Sequence, residues 1–183
     1  VQGSSTACPD DTSFLTVNVN ISPIVSMPSF ANLCDNDQSI TLNTATPSGG
    51  TYSVNGSNST TFTPSVLNVG NNIIDYIYTD GNGCSSTSSQ NLIVDPSPFA
   101  TATTTNASCN GFTNGTAILN ISSGTAPYIE NWGTSNPTAL SAGTYGYVVT
   151  DANGCSFTDS CIIYEPVAFT INVITTDVLC NGS

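Results

Sequence analysis

Apolar and polar residues alternate along short runs of this chain, and the runs are bounded by Gly, Pro and Asn. In residues 14–21, Leu15, Val17, Val19 and Ile21 alternate with Thr16, Asn18 and Asn20. Period-two alternation of β-branched residues predicts a half-buried strand, and Ser22-Pro23 ends it. The same signal recurs at Ile40-Thr41-Leu42, Thr51-Tyr52-Ser53-Val54, residues 73–79 and Leu92-Ile93-Val94, and again at residues 115–121, 143–150 and Ile162-Ile163-Tyr164. Between them stand turn clusters such as Pro47-Ser48-Gly49-Gly50 and Ser123-Gly124-Thr125-Ala126-Pro127. A helical period is nowhere evident, so no helix longer than one turn is expected. Many short strands with frequent turns predict an all-β chain of small β-sandwiches.

The pattern is also repeated. LSAGTYGYVVTDANGC at residues 140–155 restates VGNNIIDYIYTDGNGC at residues 69–84: an alternating strand, an Asp-x-Asn-Gly turn, then a cysteine. Val94-Asp95-Pro96 and Tyr164-Glu165-Pro166 are matching stops, and Cys109-Asn110-Gly111 is echoed by Cys180-Asn181-Gly182. Cys84 to Cys155 and Cys109 to Cys180 are the same interval, 71 positions (155 − 84 and 180 − 109). A period of roughly 70 to 75 residues indicates an array of modules. The expected divisions are residues 24–96 and 97–168 as two full modules. Residues 1–23 read as a terminal strand or linker, the end of a preceding module with Cys8 as its closing cysteine. Residues 169–183 read as the start of a following module or an inter-subunit strand.

Composition narrows the function. The 183 residues include twelve acids and no Lys, Arg or His, for a formal net charge of −12. Nucleic-acid binding needs cations to displace counterions from phosphates, and anionic membrane surfaces are disfavoured for the same reason. A Ser or Cys nucleophile normally needs a His or Lys base, which leaves only carboxylate pairs as a route to catalysis. Sequence spacing shows no such pair, so no enzyme and no cofactor are expected. No apolar run nears the roughly 20 residues that cross a bilayer, so no membrane insertion is expected. With no initiator Met and no signal-peptide pattern, the chain reads as a mature protein or a piece of a longer one.

Seven cysteines in a Ser/Thr/Asn-rich chain point to an oxidising, extracellular compartment. Without His or a C-x-x-C spacing, metal ligation is the weaker use of them. Each full module opens on one cysteine and closes on another, so the expected disulfides are Cys34 with Cys84 and Cys109 with Cys155. A loop of about 50 residues closed in this way contributes roughly 4 kcal/mol. Cys8, Cys161 and Cys180 are left over as candidates for extra or inter-subunit bridges, with Cys180 of one unit facing Cys8 of the next.

Cys109-Asn110-Gly111, Gly124, Pro127-Tyr128, Trp132, Leu140, Gly143-Thr144-Tyr145, Asp151 and Asn153-Gly154-Cys155 fall in an order that resembles the SprB-type repeats of very large secreted surface proteins of Bacteroidota. The resemblance covers residues 102–168; Ser123-Gly124 stands where the repeats usually carry Gly-Gly. Residues 24–96 look like the immunoglobulin-like modules found beside such repeats, carrying Cys34, Gly49-Gly50, Tyr52, Phe62, Pro64, Tyr76, Tyr78 and residues 80–84. The resemblance implies tandem immunoglobulin-like β-sandwiches at the cell surface, acting as a stalk, adhesin or filament, with no catalytic residues.

Two sharper site readings compete with structural ones. The Asp-x-Asn-Gly turns offer oxygen ligands of the type calcium takes, but the same residues suit a tight hairpin, and that reading is favoured. Trp132 with Tyr128, Tyr145 and Tyr147 could form a sugar platform, making a carbohydrate-binding module the alternative function. A lone Trp in a sandwich is more often core, and alternation puts Tyr145, Tyr147 and Val149 on one inward face, as it does Ile74, Tyr76 and Tyr78. Candidate glycan acceptors are Asn20, Asn55, Asn58, Asn106, Asn114, Asn120 and Asn181, each in Asn-x-Ser/Thr. Terminal strands at residues 14–21 and 169–174 are expected to support end-to-end self-association by strand addition.

Overall fold

The computed structural model describes residues 15–176. Among them the fold is all-β, with one 3-10 turn at Val66–Asn68. Two hydrophobic cores organise it, one drawn from residues between Met27 and Val94 and one from residues between Ala100 and Ile163.

The first core lies between two sheets. The larger has strand order β1-β7-β6-β3-β4, formed by β1 (Leu33–Cys34), β3 (Thr51–Val54), β4 (Ser57–Asn58), β6 (Gly70–Thr79) and β7 (Ser85–Asp95). Opposite it, β2 (Ile40–Thr41) pairs with β5 (Thr61–Phe62). The central hairpin runs from Gly70 opposite Val94 to Thr79 opposite Ser85. Its alternation does what the sequence implies: Ile74 and Tyr76 are buried with Leu92 and Val94, while Ile73 and Ile77 face out. Tyr52 and Tyr76 pack with ring centroids 4.5 Å apart. The Tyr76 hydroxyl donates to the Pro47 carbonyl and accepts from the Gly50 amide, both at 2.6 Å. At Gly50 a side chain has no room, since a Cβ would stand 2.6 Å from that hydroxyl oxygen.

The second core lies between β8 (Phe99–Thr105) paired with β9 (Thr116–Ser122), and a three-stranded sheet of order β10-β11-β12, formed by β10 (Ile129–Asn131), β11 (Gly143–Thr150) and β12 (Ser156–Ile163). Ala100, Leu119, Trp132, Leu140, Tyr147, Val149 and Ile163 fill it. The β11–β12 hairpin repeats the β6–β7 hairpin, from Gly143 opposite Ile163 to Thr150 opposite Ser156.

Two expected terminal strands are absent among the described residues. Residues 15–21 form no strand, and Leu15, Val17, Val19 and Ile21 are exposed together with the polar residues between them. Residues 169–174 likewise form no strand and are exposed. Period-two alternation fits a strand only where a partner supplies the ladder, and neither segment has one among the described residues.

Candidate functional site

Each long hairpin ends in the same five-residue turn, and its hydrogen bonds explain why. In residues 80–84, Asp80 Oδ1 accepts from the amides of Asn82 and Cys84, both at 2.9 Å, and the Asp80 amide donates to the Cys84 carbonyl at 2.9 Å. In residues 151–155, Asp151 Oδ1 accepts from the amides of Asn153 at 3.0 Å and Cys155 at 2.9 Å, and the Asp151 amide donates to the Cys155 carbonyl at 2.9 Å. Gly83 and Gly154 take positive φ, 84° and 89°, which a glycine adopts without penalty. Each aspartate is therefore spent on backbone donors, an Asx-type closure. Among the described residues no cluster of acidic or sulfur side chains is arranged to hold a metal ion. Asp151 also binds the Thr125 amide through Oδ2, at 2.9 Å.

The opening cysteines sit at the other end of the modules. Cys34 lies opposite Asp95 in the parallel pairing of β1 with β7. Its amide donates to Asp37 Oδ2 at 2.7 Å, the Asp35 amide donates to the Asp95 carbonyl, and Asn32 Nδ2 donates to Asp95 Oδ2 at 3.0 Å. In the second module, Asn110 Nδ2 and the Gly111 amide donate to the two carboxylate oxygens of Glu165, at 2.8 and 2.7 Å, and the Ala107 amide donates to the Tyr164 carbonyl. The Asp-Pro and Glu-Pro stops are thus acceptors that hold the opening cysteine loops against the exit of each module.

This placement corrects the expected pairings. Cys34 lies beside the last residue of β7 and Cys84 precedes its first, so the eleven-residue strand separates them by about 36 Å. A disulfide needs Cα atoms within roughly 7 Å. Cys109 and Cys155 are separated in the same way by the eight residues of β12. The structure instead joins Cys34 to Cys155, with Cα atoms 5.5 Å apart across 121 positions of sequence. The bridge crosses from the exit of one module to the turn of the next. Cys84 and Cys109 are free. Cys161 is free and 8% exposed, packed in the second core, so it is a core residue and not an accessible partner. Burial raises its thiol pKa, with the Asp159 charge adding to the effect. Cys8, Cys180 and Asn181 lie outside the described residues.

Around the bridge the junction is tightly tied. Asn36 Nδ2 donates to the Ser156 carbonyl at 2.9 Å, the Ser97 amide donates to Asp35 Oδ1 at 3.1 Å, and Ser123 Oγ donates to the Ser97 carbonyl at 2.8 Å. Pro98 is fully buried in the connection, and a Cβ on Gly124 would stand 2.9 Å from its Cα. Phe99 and Phe157 meet edge to face, centroids 5.1 Å apart, at the start of the second module.

The aromatic platform does not form. Trp132 is 8% exposed with its ring 5.2 Å from that of Tyr147, which is 2% exposed; Tyr145 and Tyr128 are packed against the same core. Among the candidate glycan acceptors, Asn55 is held by Asn72 and Ile73, Asn106 accepts from the Tyr164 amide, Asn114 is held by Ser108, and Asn120 donates to Thr103. The exposed side chains of Asn20 and Asn58 make no hydrogen bond among the described residues.

The fold defines the class: an all-β chain of small β-sandwiches in tandem, stapled by a disulfide. No protein-family model matches the chain, and no well-characterised protein matches it in sequence. Among solved structures it is similar to a Bacteroides ovatus protein, SGBP-B of a mixed-linkage glucan utilization locus, in complex with a mixed-linkage heptasaccharide (16% identity, 79% of this chain and 46% of that one, TM-score 0.29). It is also similar to the full ectodomain, Ig1–Ig3, of mouse nectin-like molecule 4 (17% identity, 67% of this chain and 52% of that one, TM-score 0.28). The chain spans about half the length of these structures.

Proposed function

We propose that this chain is an extracellular structural protein, a subunit or segment of a surface filament, stalk or adhesin built from repeated β-modules, and not an enzyme. The observation that carries the reading is the Cys34–Cys155 bridge, which ties one module to the next instead of stabilising either alone. A binding domain gains little from fixing its neighbour, whereas a load-bearing rod gains a great deal. Oxidised cysteines suit a secreted protein, and the SprB-type resemblance of residues 102–168 agrees with a surface array. The exposed apolar segments at residues 15–21 and 169–174 favour self-association, because monomers rarely leave such residues uncovered. If glycans are attached, Asn58 and Asn20 are the acceptors with unengaged amides.

The carbohydrate-binding alternative loses its main support with the burial of Trp132 and Tyr147.

Pulling single molecules from their ends tests the mechanical role. With the bridge intact, the 121 positions between Cys34 and Cys155 cannot extend. In reductant, or in a Cys34→Ser chain, the fully unfolded length is expected to grow by about 40 nm, at roughly 3.4 Å per residue. An unchanged length would refute the load-bearing bridge. Electron microscopy of concentrated protein should show fibres with an axial repeat of two modules, and monodisperse single particles would overturn the filament reading.

A further inference from the structure

The two halves of the Cys34–Cys155 bridge are both present a second time, unpaired. Cys155 closes a five-residue aspartate turn at the tip of a hairpin, and Cys84 closes the same turn with the same three bonds to its aspartate. Cys34 ends β1 beside the acidic residue of an Asp-Pro exit, which accepts from Asn32, and Cys109 stands in a turn held by the acidic residue of a Glu-Pro exit. Cys109 is exposed and Cys84 half-buried, both as free thiols.

Their positions are complementary. Cys155 lies at the end of the second module that meets the first, so Cys109, about 26 Å away along the eight residues of β12, faces the far end. Cys84 lies at the hairpin tip of the first module, the end remote from Cys34 and from the junction. One end of the two-module unit therefore offers an opening cysteine, and the other a closing cysteine. The junction between the modules joins one such pair, Cys34 with Cys155.

We propose that Cys109 of one chain forms a disulfide with Cys84 of a second copy, repeating between copies the link that Cys34–Cys155 makes within one. The contact is head to tail, which does not close on itself and so propagates into a linear assembly. The inference rests on the filament reading and supplies its covalent chemistry. The oxidant is a small-molecule disulfide. The thiolate of one cysteine displaces one thiol from it to give a mixed disulfide, and the second protein thiolate then displaces the other. Two protein thiols lose two protons and two electrons, and the small disulfide is reduced to two thiols.

The test uses the full chain with Cys8→Ser and Cys180→Ser, so that only Cys84 and Cys109 remain as unbridged thiols outside the core. In an oxidised/reduced glutathione buffer this chain should give a ladder of multimers on non-reducing electrophoresis, abolished by reductant. Adding Cys84→Ser, or adding Cys109→Ser, should each leave only monomer. Mixing those two variants should restore a dimer and nothing larger, because one link is then available. Mass mapping with an aspartate-directed protease should find Cys84 joined to Cys109. Monomer in the mixture, or dimers joined through Cys84–Cys84 or Cys109–Cys109, would overturn the proposal. Electron microscopy of the oxidised chain separates the covalent link from the filament: fibres without a ladder keep the filament reading and remove the link, and a ladder whose multimers form no fibres keeps the link and removes the filament reading.

Discussion

Carboxylates in this chain have no Lys, Arg or His to pair with, and the structure uses them as acceptors for amides. Asp37, Asp80, Asp151 and Glu165 each receive at least one backbone N–H, which fixes a turn or a loop without a cation. Hydroxyls act similarly in the core. Tyr76→Phe removes the oxygen bridging Pro47 and Gly50 and should cost about 1 to 3 kcal/mol through the amide left unsatisfied. Gly50→Ala intrudes on the same ring and should cost about 1 to 3 kcal/mol by overpacking. Denaturant titration reads both; midpoints equal to wild type would show that the Tyr76 anchor contributes nothing. The Tyr147 pKa is raised above its usual 10.0, first by burial and then by the nearby Asp159. A group whose folded pKa is raised gives stability that is complete below the unfolded pKa and is lost as pH climbs through the folded one. Stability should therefore fall above about pH 10, and Tyr147→Phe should flatten that fall, as measured by thermal unfolding across pH 8 to 11.

At the scale of elements, strands whose alternation is carried by apolar residues are legible in the sequence alone. Ile74, Tyr76, Leu92 and Val94, and Tyr147 and Val149, face inward as their spacing implies. Less legible are strands made of hydroxyls. β7 begins with Ser-Ser-Thr-Ser-Ser-Gln-Asn, and β8 is Phe-Ala-Thr-Ala-Thr-Thr-Thr. Neither has enough apolar contrast to announce a strand. They extend because a neighbour, β6 or β9, offers a complete ladder of backbone partners. The converse mismatch occurs at residues 15–21, where contrast is strong but the partner is absent from the described residues. Alternation reports which face a strand would bury, and pairing decides whether the strand exists.

The whole molecule turns on a distance that composition and spacing do not carry. Spacing marks Cys34, Cys84, Cys109 and Cys155 as a repeated set, and joining opening to closing cysteine within a module is the economical reading of it. Long hairpins defeat it, because each carries its closing turn away from the opening loop by the length of a strand. Only the neighbouring module brings a partner within reach. In the chain-entropy model a loop of 121 positions contributes about 5 kcal/mol, little more than the roughly 4 kcal/mol of a bridge inside one module. The gain from crossing the junction is thus connectivity more than stability. From Cys34 to Cys155 the backbone and the disulfide form a covalent ring, and a ring survives one cut. Cleavage at Asp80, in the turn whose Gly81, Asn82 and Gly83 are exposed, by an aspartate-directed protease should leave a single band without reductant and two bands with it. A Cys34→Ser chain should fall into two under either condition. Such a chain would tolerate a first proteolytic wound anywhere between Cys34 and Cys155, failing only at the second.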